Sequence, residues 1–156
     1  MRIHLIAVGR LKSGPEFDLT AEYLGRAEKI GRALSLGPVV LREVEDRRNG
    51  GKAAEADLLR RAIPNDAAVC ILDERGKVES SPDFAKRLEQ WRDSGFRDLA
   101  FVIGGADGTD GQFRAEASHL LSFGKMVWPH MLARVMLSEQ IYRSISILAG
   151  SPYHRV

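Results

Sequence analysis

Residues 99–111, LAFVIGGADGTDG, constrain this chain more than any other stretch. Leu99, Ala100, Phe101, Val102 and Ile103 form an unbroken apolar run, the pattern of a central parallel strand covered on both faces. Gly104, Gly105, Gly108 and Gly111 then strip the Cβ atoms from the following turn, which permits positive φ and lets backbone approach a ligand closely. Two later stretches, FGKMVWPH at 123–130 and SPYHRV at 151–156, are expected to fold with this loop into one cofactor site.

The rest of the chain supplies the partners of that strand. Residues 3–8 predict a first strand closed by Gly9, and 15–33 a helix with Pro15 in its first turn, where a missing N–H is harmless. Phe17, Leu24, Ala27 and Ile30 share one face of it. Residues 39–44 read as a second strand, 45–51 as a mobile polar segment, and 53–63 as a helix stopped by Pro64. A third strand over 67–72 ends in a polar turn at 73–77. Ser81 reads as an N-cap with Pro82 opening a helix that stops at Gly95. A helix of about ten residues from Phe113, a fifth strand at 125–128 ended by Pro129, and a helix over 131–149 complete the order. Strands alternating with helices predict an α/β fold with a mainly parallel sheet, helices on both faces. Ligands of such sheets bind beyond the carboxyl ends of the strands, which places Leu72, Gly104 and the segment before Pro129 on one rim.

Composition narrows the class. The 156 residues suit a single domain spanning 1–156, with neither repeats nor a linker to divide it. A net charge of +2 does not announce nucleic-acid binding. The run 42–52 holds four basic and three acidic residues, the pattern of a solvated loop, although arginine also suits phosphate. Cys70, the only cysteine, lies within an apolar strand; it has no disulfide partner and is a poor nucleophile, consistent with a reducing cytoplasm. The N-terminal MRIHLIAVGR reads as a strand rather than a signal peptide, and no apolar run is long enough to cross a membrane.

Candidate chemistry is sparse. His4, His119, His130 and His154 show no metal-ligand spacing, so no metal is expected. The glycine loop lacks the lysine of a P-loop and the spacing of a dinucleotide fingerprint. His130, after Pro129, reads most simply as a cap of the last helix. On that helix Leu132, Val135 and Met136 begin an apolar stripe that Glu139 and Arg143, four apart, continue. Either this is a buried structural ion pair, or one member points into a site. Tyr153, His154 and Arg155 combine an aromatic ring, an imidazole and a guanidinium, suited to stacking on a base, moving a proton and holding a phosphate; a frayed terminus is the alternative.

Together AVGRLK, LDERGK, FVIGGADG, SFGKMVWPH and RVMLSEQIYRSISILAGSPYHR resemble the ribosomal RNA pseudouridine N3-methyltransferases, of the SPOUT class, over essentially the whole chain. The resemblance implies a deep C-terminal trefoil knot, which general rules of chain threading argue against. It implies a cytoplasmic homodimer and S-adenosyl-L-methionine held at Leu72, Gly104, Phe123, Gly124, Lys125, Met126, Val127 and Trp128. It implies a pseudouridine in helix 69 of 23S rRNA, within the assembled ribosome, as substrate. His154 is then the candidate base, Tyr153 a stacking ring, and Arg155 or Arg143, with Glu139 beside it, the holder of a phosphate or ring oxygen. Thr109, where relatives often carry Leu, and Val156, where many carry Lys or Glu, depart from the pattern. A non-catalytic ribosome-binding module of the same fold is the competing reading, and a nucleotide-binding α/β enzyme a weaker one.

Overall fold

The computed structural model, which describes residues 1–47 and 49–154, alternates strands and helices throughout. β1 (Arg2–Val8) leads to α1 (Pro15–Gly31) and a 3-10 turn, Arg32–Leu34. β2 (Val39–Val44) precedes α2 (Gly51–Ala62), and β3 (Ala68–Val78) precedes α3 (Ser81–Asp93). β4 (Asp98–Ile103) precedes α4 (Gly111–Ala115), and β5 (His119–Ser122) precedes α5 (His130–Leu148). The five strands form one parallel sheet in the order β2-β1-β4-β3-β5.

All six residues of β4, the central strand, are buried, as its apolar run predicts. Alternate side chains feed opposite faces. Leu99, Phe101 and Ile103 pack with Ile3, Leu5 and Cys70 against α1, α3 and α5, through Leu24, Leu88, Trp91, Ile141 and Ile145. Ala100 and Val102 pack with Ile6 and Ile71 against Ala56 and Leu59 of α2 and Phe113 of α4. At the start of β4 the Asp98 carboxylate accepts from Arg2 at 2.7 Å and meets His4 at 2.6 Å, and the Arg2 hydrogen bond above all holds its carboxyl below the usual range.

Several sequence expectations shift. The fifth strand is His119–Ser122, and 125–128 is irregular, because Gly124 at φ 105° turns the chain straight after β5. The helix expected from Phe113 is the five-residue α4, capped by Asp110, whose carboxylate accepts from Gln112 and Phe113 amides at 3.0 Å. Ser80, not Ser81, caps α3; its hydroxyl accepts from the Asp83 amide, and Pro82 is second in the helix. Phe17 is exposed although it continues the buried face of α1, and Leu132 is exposed although it opens the apolar stripe of α5. The single stripe expected on α5 is a helix buried on most sides, from Ala133 to Ser146.

Beyond Leu72, β3 does not end in a turn. It breaks register, arches over four residues and resumes, so that Leu121 of β5 pairs with both Leu72 and Lys77. Gly76 lies at the crossing: a Cβ there would stand 2.6 Å from the Leu121 carbonyl carbon and 2.7 Å from that of Leu120. Backbone cannot yield as a flexible side chain does, so Gly76→Ala should lower the stability of the fold by about 3 kcal/mol, the upper part of the overpacking range, in urea unfolding.

Candidate active site

The carboxyl ends of β4, β3 and β5 open into one cavity of about 470 Å³, within the range of small-molecule sites. Leu72, Gly104, Phe123, Gly124, Met126, Val127 and Trp128 line it, together with the glycine turn 105–109 and Asp73, Glu74 and Arg75 from the arch of β3. Lys125 does not. Met126 and Val127 project outward, 73% and 89% exposed, from the mouth of the cavity. The turn itself is closed by the Gly108 amide donating to the Gly105 carbonyl at 3.0 Å, with Gly108 at φ 81°. Arg114 holds it from outside, donating to the Thr109 carbonyl at 3.0 Å and lying 3.5 Å from Asp73.

His130 lines the wall, which a reading of it as a helix cap misses: Pro129 occupies the cap position and His130 is the first residue of α5. Its Nε2 is buried without a hydrogen-bond partner. Burial, reinforced by Arg134 one turn on, pushes its pKa down, while the Gly104 backbone opposes the shift. Arg134 is wholly buried and donates to Glu43 at 2.5 Å and to the Val8 and Gly9 carbonyls at 3.2 and 3.0 Å. The sequence signal for this wall was an arginine four residues after a histidine in the otherwise apolar opening of α5.

The second group of candidates gathers elsewhere. Glu139 accepts from Arg143 Nε at 2.9 Å and from the Tyr153 hydroxyl at 3.0 Å, and Arg143 lies 3.3 Å from His154 Nδ1. The Arg143 guanidinium covers a face of the Tyr153 ring, 4.8 Å from its centre, and Tyr142 packs at 4.5 Å. The pair read on the helix is therefore real, and it anchors residues 153 and 154 instead of standing alone. Burial first, then the Glu139 hydrogen bond, push the Tyr153 hydroxyl up to about 12. A guanidinium has no lone pair, so His154 Nδ1 accepts and the neutral ring carries its proton on Nε2. Arg155 lies outside the described residues. None of Glu139, Arg143, Tyr153 or His154 lines the glycine-loop cavity. Glu139 instead lines a second, more apolar cavity of about 400 Å³, which shares Ser122 and Phe123 with the first as a common wall.

Among the described residues no group of three or more His, Cys, Asp or Glu side chains could hold a metal, and no helix is long and apolar enough to cross a membrane. Burial pushes the Cys70 thiol well up, so the lone cysteine is unreactive.

A parallel sheet whose strand ends open into a glycine-turn cavity is the arrangement of a ligand-binding α/β domain, and comparison with known proteins gives the family. The model described as "Predicted SPOUT methyltransferase" matches residues 1–154, and the chain belongs to that family. It is 68% identical over 155 residues to the "Ribosomal RNA large subunit methyltransferase H" of Roseobacter denitrificans, covering 99% of both chains. It is 63% identical to the protein of that name from Paracoccus denitrificans, again over 99% of both. Among solved structures, a "probable methylase family protein" from Haemophilus influenzae shares the fold at TM-score 0.50 and 11% identity, over 99% of this chain and 70% of that one. S-adenosyl-L-methionine is the methyl donor of the family. The cavity fits it: apolar walls from Leu72, Phe123 and Trp128 suit an adenine, and Asp73 and Asp107 suit its cationic groups.

Glu139→Gln removes the charge that Arg143 and Tyr153 share. It should speed amide hydrogen exchange at Tyr153 and His154 and cost about 1–3 kcal/mol in urea unfolding, the range for one partner of a partly buried charged hydrogen bond.

Proposed function

We propose that this protein methylates N3 of a pseudouridine in helix 69 of 23S rRNA, acting on the assembled ribosome in the cytoplasm. The observation that carries the reading is the convergence of Leu72, Gly104, Phe123, Gly124 and Met126 to Trp128 on one cavity at three adjacent strand ends. The relatives' name supports ribosomal RNA as substrate. The small net charge of +2 supports a preformed ribosomal surface over naked RNA, whose binding would demand many phosphate contacts.

Leu72, Gly104, Phe123, Gly124 and Met126 to Trp128 would hold S-adenosyl-L-methionine, which would supply an electrophilic methyl group there. The chain's own residues orient the base and remove its proton. His154 takes the N3 proton through Nδ1, the lone pair that Arg143 holds in the free protein. Arg143 leaves that lone pair when a substrate phosphate or ring oxygen draws its guanidinium away. Tyr153, with Arg143 already on its ring, orients the tail rather than stacking on the base. Glu139 keeps Arg143 aimed, and Arg155 is assigned to the substrate phosphate by its place beside His154 in the sequence.

Three structural expectations belong to the same reading. The chain acts as one domain over 1–156. It is knotted: the register break of β3 between Leu72 and Lys77, with Leu121 of β5 paired to both, supports a threaded chain. It works as a homodimer. Support for that comes from the separation of the tail cluster from the cavity, and from Phe17, Leu19, Val78 and Leu132, exposed apolar residues of which Leu19 and Val78 rim the second cavity. Val78→Glu should therefore yield a folded monomer in sedimentation that no longer transfers methyl groups.

Calorimetric titration with S-adenosylhomocysteine, with ATP and NAD as controls, tests the reading. Selective binding of the first is expected, and His154→Ala should keep that binding while lowering methyl transfer to ribosomes lacking the modification by about 10²–10⁴. Binding of no cofactor would favour a ribosome-binding module, and selective binding of ATP or NAD would overturn the assignment.

A further inference from the structure

The Cβ positions that Gly104 and Gly105 leave empty face the protein itself. A Cβ on Gly104 would stand 2.8 Å from Thr109 Oγ1. One on Gly105 would overlap both carboxylate oxygens of Glu55, the far end of a flexible side chain that reaches up from α2. The backbone of Gly105 lines the cavity, so the loop has a ligand side and a Glu55 side. Gly105 is not in the left-handed region, so its conformation suits any residue, and the carboxylate is what stands in the way of one. Burial pushes the Glu55 carboxyl up, the Gly105 amide favours its charge, and Asp46 and Asp107 nearby oppose that charge. Lys52, one turn earlier on α2, touches the same closed space beneath Gly104 and Gly108.

We infer that Glu55 is a positioning residue: its carboxylate fills the volume vacated at Gly105 and so sets the cofactor-facing edge of the 105–108 turn. The inference rests on the cofactor reading of that cavity. It assigns Gly105 to close packing within the protein, not to close approach of a ligand.

A double-mutant cycle on the full chain separates the two assignments. With S-adenosylhomocysteine as the calorimetric probe, Gly105→Ala should weaken binding several-fold, by the same factor as Glu55→Ala, because the end of the Glu55 side chain yields to the methyl group and no longer holds the turn. Glu55→Ala should weaken it several-fold, whereas Glu55→Gln, which keeps both the volume and an acceptor oxygen, should stay within about twofold. Adding Gly105→Ala to Glu55→Ala should cost nothing further, because the overlap is gone. If Gly105→Ala costs the same factor with and without Glu55, the glycine serves the ligand and the inference is overturned. Unchanged affinity in Glu55→Ala overturns it equally. Amide exchange of 105–109 in the ligand-free protein gives an independent reading: it should quicken in Glu55→Ala and not in Glu55→Gln. If the unsubstituted protein binds no S-adenosylhomocysteine, the cofactor reading fails, and the exchange rates still decide whether Glu55 holds the turn.

Discussion

The site depends on one contact between two stretches of backbone. Where β3 arches past β5, Gly76 lies against the carbonyls of Leu120 and Leu121 with no room for a Cβ. Because Leu121 pairs with both Leu72 and Lys77, the residues between must bow outward, and they become the rim of the cavity: Asp73, Glu74 and Arg75. On leaving the crossing β5 becomes the opposite wall. Ser122 stitches the two together, its hydroxyl within 3.3 Å of the Glu74 carbonyl and 3.2 Å of the Gly124 carbonyl while accepting from the Gly124 amide at 3.1 Å. The cavity is thus the shape left over when one strand passes another at van der Waals distance, and neither strand can be repacked without moving it.

Buried charge fixes the third wall. Desolvation makes a wholly buried guanidinium costly, and Arg134 is kept only because Glu43 and the carbonyls of Val8 and Gly9 answer it. Those partners sit at the carboxyl ends of β1 and β2, so the ion pair sets the depth at which α5 docks on the sheet. Glu43 also accepts from the Leu11 amide at 2.8 Å, which draws the loop after β1 into the same knot of bonds. His130, one turn before Arg134, is placed on the cavity wall as a consequence. An apolar residue at 134 could fill the volume, but it would strip the Glu43 carboxylate of its counter-charge and the Val8 and Gly9 carbonyls of this donor, and leave the register of α5 unspecified.

What the sequence revealed and what it hid divide along the range of the interactions. Apolar runs and helical spacing are local, so β1, β2, β4, α3 and α5 were legible within a residue or two. Leu72 and Gly104 on the rim followed from strand ends alone, whereas the segment before Pro129 reaches the rim as irregular chain after β5 and not as the strand end expected there. The extension of β3 was not legible, because Asp73, Glu74 and Arg75 are turn formers in isolation and are held extended only by the passing of β5. β5 was missed for the complementary reason: four residues, two of them His119 and Ser122, carry too little pattern, and the more apolar MVW nearby drew the assignment. The tie of Tyr153 to Glu139 spans fourteen residues, and that of His154 to Arg143 eleven, across a change of direction at Gly150, beyond any periodicity.

A glycine-rich turn after a buried strand is ambiguous for a definite physical reason. A missing Cβ can admit a ligand, permit a left-handed φ, or admit another part of the protein, and composition records only that it is missing. Here the three uses fall on different residues. Gly108 is at φ 81°, in the left-handed region that favours glycine. Gly104 accommodates Thr109 Oγ1, and Gly105 the Glu55 carboxylate. Thr109, a departure from the resemblance's usual leucine, is buried, with its hydroxyl against the glycine that a larger neighbour would crowd. The loop therefore owes its shape to what lies behind it. A cavity whose edge is set from inside the protein keeps that edge when empty, so cofactor binding need not be charged with the entropy of ordering it.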